Sequence, residues 1–138
     1  MNRLLQKTSL IIICISSLFA TNPSSAGETD STISYVEIDP VIVTNFLRAK
    51  GKKPGFVQLQ AQITVSSTIA YDAVDNNMPL IRDTIVEFLS FTDEATIKDI
   101  SQRKKLRENL NNKIKEALKK VLGSSYAEDL IITHFMWG

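Results

Sequence analysis

His134 is the one imidazole this 138-residue chain can bring to a reaction. A general base or a metal ligand would suit that residue type, but either role needs partners at a recognisable spacing. Ser66 and Ser67 are the nearest thing to nucleophiles, yet no G-x-S-x-G surrounds them and no motif ties them to His134. His134 stands between Thr133 and Phe135 in an apolar run, so it reads as a strand side chain that is exposed or hydrogen-bonded. Asp72 and Asp75, with Asn76 and Asn77, raise calcium; the stretch lacks the alternating ligands and the closing bidentate Glu of a calcium loop. It reads as a solvated helix end before Pro79. Asp93, Glu94 and Asp99 fit the preference of acids for the positive end of a helix. Cys14 is the sole cysteine, which excludes a disulfide framework and a cysteine zinc site. No catalytic residue, cofactor or metal is expected, and the chain does not read as an enzyme.

Contact surfaces are better represented. Arg48, Lys50, Lys52 and Lys53 load one loop, and Arg103, Lys104, Lys105 and Arg107 load the first turns of a helix, where the helix dipole disfavours cations. The second cluster calls for a compensating reason: an acidic partner, anionic lipid headgroups, or a solvated face balanced by Asp93, Glu94 and Asp99. Gln58, Gln60 and Gln62, with Thr64, form an uncharged polar strand face that can receive a neighbour without desolvating charge. These glutamines and Arg103, Lys104, Lys105 and Arg107 are the candidate partner interface. Trp137 is expected to pack at the edge of the core.

The elements that must position these residues follow from the apolar periods. Tyr35–Ile38 reads as a short strand, broken by Asp39-Pro40. Val41 to about Leu47 resumes it, and residues 50–55 form a loop. From Phe56 to Ser66, Val57, Leu59, Ala61, Ile63 and Val65 alternate with polar residues, so one face of a long strand is apolar. Such a strand belongs to a sheet covered on one side, as antiparallel sheets often are. Helical spacing begins near Thr68, with Tyr71, Val74 and Met78 on one stripe. A new helix opens at Pro79 and carries Leu80, Ile81, Ile85, Phe88 and Leu89. Thr92 is read as the cap of a short helix and Ser101 as the cap of a long one. The long helix carries Leu106, Leu110, Ile114, Leu118, Val121 and Leu122 and stops at Gly123. Tyr126–Trp137 closes the chain as a strand. The order β-β-β-α-α-α-β predicts an α+β fold: a mainly antiparallel sheet with helices packed on one face. There is no internal repeat.

The N-terminus is of a different kind. Arg3 and Lys7 precede an eleven-residue apolar run, Leu10–Ala20, and Ser24-Ser25-Ala26 supplies small residues at the −3 and −1 positions. Residues 1–26 therefore read as a signal peptide cleaved after Ala26, or else as a short N-terminal membrane segment; the run is short of the roughly 20 residues a spanning helix needs. Residues 27–34 read as a flexible lead-in and residues 35–138 as the domain. Loss of residues 1–26 would take the formal charge from +1 to −1, with no basic field for nucleic acid. Hydrophobic residues at 43% and charged residues at 22% give an ordinary globular balance, and the length suits one domain. Export without cysteines suits a bacterial periplasm.

Several of these segments, in order, resemble the flagellar basal body-associated protein family FliL. The resemblance runs through Tyr35-Val36-Glu37-Ile38-Asp39-Pro40-Val41-Ile42-Val43-Thr44-Asn45-Phe46 and the alternating strand Phe56–Val65. It continues in Pro79-Leu80-Ile81-Arg82-Asp83 with Phe88-Leu89-Ser90, in Lys104-Lys105-Leu106-Arg107-Glu108-Asn109-Leu110, and in Asp129–Phe135. It covers roughly residues 35–136. The resemblance implies a periplasmic domain of stomatin/prohibitin-like fold that is not an enzyme. Its partners would be flagellar stator or basal-body proteins, with homo-oligomers forming near the stator to support rotation, motility and chemotaxis. Association with the inner membrane, including peripheral contact, is implied as well. In the family a membrane helix precedes this domain; here the signal-like segment stands in its place. That substitution leaves a second reading open, a soluble periplasmic paralogue acting as a protein-binding module outside the flagellum.

Overall fold

Period-two alternation makes β3 (Gly55–Val65) the central strand, with Val57, Leu59, Ala61, Ile63 and Val65 all buried. The computed structural model describes residues 32–138, so the signal-like segment and most of the lead-in lie outside the described residues. β1 (Ser34–Glu37) and β2 (Ile42–Phe46) both run antiparallel to β3, Glu37 opposite Gln62 and Ile42 opposite Leu59. β4 (Asp129–Trp137) takes the other edge of β3. A strand has two edges, so β1 and β2 lie end to end along one of them. Between them the Asp39–Pro40 peptide is cis, and the Ile38 N–H donates to the Ala61 carbonyl at 3.0 Å. The sheet is antiparallel throughout, as the sequence predicts.

β4 carries one irregularity with a purpose. His134 faces Gln60 and Ile132 faces Ala61, which leaves Thr133 as an extra residue in a bulge. Ile132 and Phe135, three apart in sequence, thereby sit opposite Ala61 and Leu59 and pack against the core.

The helices cover one face. α1 (Thr68–Asn76) is capped by Ser67, whose hydroxyl accepts from the Ala70 N–H at 3.1 Å. α2 (Met78–Ser90) has Pro79 in its first turn and buries Ile81, Ile85 and Leu89. It lies along β2: the Ser90 and Thr44 hydroxyls are 3.1 Å apart, and Arg82 donates to the Pro40 carbonyl. After the short α3 (Glu94–Lys98) and a 3-10 turn at Ile100–Gln102, α4 (Arg103–Leu122) buries Leu106, Leu110, Ile114 and Leu118. Arg103 at its start lies by Phe135, late in β4, and Arg107 a turn later reaches Asp129 and Leu130 at the start of β4, so α4 runs opposite to β4 and to α2. Gly123, at φ 77°, ends it in a conformation that suits glycine.

The structure corrects several expectations. The described residues hold four α-helices where the order β-β-β-α-α-α-β expects three, and Asp99 starts a separate 3-10 turn between α3 and α4. Asp93, not Thr92, caps α3, accepting from the Thr96 N–H at 2.7 Å. Ser101 does not cap α4; it lies inside the 3-10 turn, where its N–H donates to Asp99. β1 begins one residue earlier, at Ser34, and β2 and β4 are shorter than predicted, β4 starting at Asp129. Tyr71 and Val121 leave the apolar stripes and are exposed, since α1 turns Ala70 and Val74 inward and Val121 falls on the outer side of α4. No helix among the described residues is long and apolar enough to cross a membrane.

Candidate interaction surface

The helices cover only one face of the sheet, and the glutamines stand on the other. Cross-strand register builds that face in rows: Tyr35 beside Thr64, Glu37–Gln62–Ile131, Gln60 beside His134, Val43–Gln58–Met136, and Asn45 beside Phe56. Tyr35, Val43, Phe56, Ile131 and Met136 are all exposed here, Val43 at 62%. Glu37, at the margin, is the one carboxylate in these rows. Asp129, though opposite Thr64, turns its own carboxylate toward α4. The result is a platform dominated by amides and apolar side chains, with Glu37 at its margin, a composition that can be desolvated at lower cost than a charged face. The sequence places the glutamines together but misses Tyr35, Val43, Ile131 and Met136, whose membership depends on cross-strand register.

The basic run has a different explanation. The Arg103 guanidinium lies 3.6 Å from the centre of the Phe135 ring and donates to the Ile97 carbonyl at 3.1 Å. Burial draws its pKa below the usual arginine value. Arg107 donates to both Asp129 carboxylate oxygens and to the Leu130 carbonyl, and the Asn111 amide reaches Asp129 at 3.2 Å. These two arginines pin the start of α4 to β4, which accounts for cations where the dipole disfavours them. Lys104 and Lys105 are exposed, with Lys104 3.9 Å from Glu108. The structure therefore does not unite the candidate interface residues: the glutamines face outward from the sheet, while the basic run lies on its helical side. A shallow cleft of about 350 Å³ bounded by Arg103, Lys104, Arg107, Thr133 and His134 marks where the two sides meet around β4.

The remaining candidates have local tasks. Ser66 bonds Glu128 at 3.2 Å and Ser67 caps α1. His134 is exposed on the outer face. Arg48, Lys52 and Lys98 converge on Glu94, at 3.3, 3.6 and 2.6 Å. The Lys98 bond, chiefly, holds the Glu94 carboxyl below its ordinary pKa. Asp93 and Asp99 are held low by their cap bonds to Thr96 and Ser101. Trp137 lies under the Lys98 ammonium, 5.0 Å from its ring centre, and is 41% exposed at the margin.

Residues 35–137 match the family model described as flagellar basal body-associated protein FliL. The chain belongs to the FliL family. Membership gives it a role associated with the flagellar basal body, in a family that is structural and is not known for enzymatic activity. Among curated proteins, none matches the chain.

Proposed function

We propose that the chain is a non-enzymatic periplasmic component that assembles near the flagellar stator and supports rotation, motility and chemotaxis. Its domain would be stomatin/prohibitin-like, and it would act by association with itself and with basal-body proteins, alongside the inner membrane. The observation that carries this reading is the open face of the sheet, poor in charge, where Gln58, Gln60 and Gln62 stand among exposed Tyr35, Val43, Ile131 and Met136. A surface of that composition suits a protein partner better than a small substrate. Residues 1–26 would act as the export signal and, in this reading, stay on the domain as a short membrane segment that holds it at the inner membrane.

The test is the position of an export-competent fluorescent fusion relative to labelled flagellar bases. Foci at the bases that disperse when the stator is deleted, and that weaken with Gln60→Lys, are expected. Small residues at Ser24 and Ala26 favour a second reading, the cleaved and freely diffusing periplasmic paralogue. A uniform periplasmic signal from a functional fusion would select it and end the flagellar reading.

A further inference from the structure

β4 has β3 along one edge and, among the described residues, no strand along the other. Phe56 and Gly138 exchange both of their backbone bonds, at 3.1 and 3.0 Å. Residues of an antiparallel pair alternate between this arrangement and one in which N–H and C=O point away from the partner strand. Counted through the register, the residues opposite Val57, Leu59, Ala61 and Ile63 point away: Trp137, Phe135, Ile132 and Leu130. The position of Arg107 agrees, since its Nη1 donates to the Leu130 carbonyl at 3.2 Å from outside the sheet. From Ile132 to Trp137 these outward groups meet no backbone partner among the described residues. Thr133 and His134, between them, are exposed.

This edge is one side of the cleft of about 350 Å³ whose other side is Arg103, Lys104 and Arg107. Arg107 is engaged with Asp129, and Arg103 lies on the Phe135 ring. Lys104 is the least committed: its side chain is 82% exposed, and Glu108, itself half exposed, stands 3.9 Å from its ammonium. We propose that β4 takes up an extended acidic segment of a partner protein as an added antiparallel strand. The proposal rests on the reading of the chain as a protein-binding component, and names for it a partner chemistry and a surface distinct from the open face.

Geometry sets the pattern of that segment. Phe135 stands opposite buried Leu59, so its side chain is on the helical side of the sheet. The residue bonded to Phe135 across a new antiparallel pair shares that side. Side chains there meet Arg103 and Lys104, while the alternate ones continue the open face beyond His134. An acid at every second position, with uncharged residues between, suits both sides. A second copy of β4 does not suit the edge, because antiparallel pairing of two such edges would bring Lys104 and Arg107 against their own kind. The bulge at Thr133 interrupts the edge, so the backbone pairing is short and the charges must share in the binding.

The probe is a fluorescent octapeptide of alternating Glu and Thr, and the readout is its anisotropy with the purified full chain. N-methyl groups on its Glu residues remove the donors that face β4; N-methyl groups on its Thr residues remove those that face away. Both test the backbone without altering the protein. The alternating peptide should bind, less tightly as salt is raised. Methylation at Glu, or gathering the Glu residues into one block, should weaken binding about ten-fold, and methylation at Thr less than about two-fold. Lys104→Glu should weaken it about five-fold. Lys105→Glu, at a residue that does not line the cleft, should weaken it less than about two-fold. No binding at about 1 mM peptide, equal weakening by the two methylations, or binding untouched by Lys104→Glu would overturn the proposal. So would binding lost with Gln60→Lys but not with Lys104→Glu, which places the peptide on the open face. Capture of anionic vesicles through Lys104 without peptide binding would also overturn it and assign the basic turns to a membrane. The position of the fluorescent fusion decides the flagellar reading separately.

Discussion

Arg107 meets Asp129 through a single guanidinium nitrogen, Nη1, which stands 2.7 Å from one carboxylate oxygen and 2.8 Å from the other. The same nitrogen is 3.2 Å from the Leu130 carbonyl. One side chain thus ties the second turn of α4 to the first residues of β4, across 22 residues of sequence. The Asp129 side chain is 49% exposed and that of Arg107 29%, so solvent screening keeps the ion pair modest.

Arg107→Met, which keeps much of the aliphatic stem, should cost about 1 kcal/mol in urea unfolding, and Asp129→Asn a similar amount. The double variant should fall short of the sum, with a coupling of about 0.5–1 kcal/mol. Strict additivity would show that the two groups stabilise the fold independently.

Gly55 is fixed by its cross-strand neighbour. It faces Phe46 in the register, and a Cβ built there would lie 2.2 Å from the Phe46 ring. Arg48 stacks on that same ring at 5.2 Å. Gly55→Ala should therefore force the ring out and cost about 1–3 kcal/mol by overpacking. Phe46→Leu in the Gly55→Ala background should recover part of the loss. A melting temperature unchanged by Gly55→Ala would show that the ring moves freely.

Acid should weaken the fold through three carboxylates. Asp93, Glu94 and Asp99 lie below their ordinary values of 3.8, 4.5 and 3.8, held by the Thr96 N–H, by Lys98 and by Ser101 respectively. A depressed folded-state pKa means that the unfolded chain binds more protons, so stability rises with pH through this range. The contribution is complete above the unfolded values and disappears as pH falls through the folded ones. The urea midpoint should hold from about pH 7 to about pH 5 and drop below that. Asp93→Asn with Asp99→Asn should shallow the drop, and an equally steep drop in that variant would assign it to other groups.

What the sequence could show divides along the range of the forces involved. The alternation from Val57 to Val65 is local and repeated, so β3 and its buried face are legible directly. The bulge at Thr133 is not, because it depends on how β4 must shift to bring both Ile132 and Phe135 onto the core. Helix spacing places Leu110 and Ile114 correctly but also admits Val121, since period alone does not say where the covering layer ends. The open face follows the same rule: its glutamines share one strand, whereas Val43 and Met136 join them only through register. Arg107 looks like a surface cation until Asp129, distant in sequence, is brought beside it.

The basic start of α4 should separate into two kinds of residue. Arg103→Ala removes both the stack on Phe135 and the bond to the Ile97 carbonyl, and should cost about 1–2 kcal/mol. Lys104, with its side chain 82% exposed, and Lys105 carry no comparable contact. Replacing both with Glu should change stability by less than about 0.5 kcal/mol, with the sign tilted toward a gain because acids suit the first turns of a helix. The same double variant tests the surface role of the lysines. Foci of the fusion that persist with wild-type intensity would assign the basic run to holding α4 against β4. Foci lost from a variant of normal stability would assign Lys104 and Lys105 to an acidic partner or an anionic membrane surface. Adding vesicles with and without anionic lipid to the purified full chain then separates those two, since only the membrane contact should bind the anionic vesicles and weaken as salt is raised.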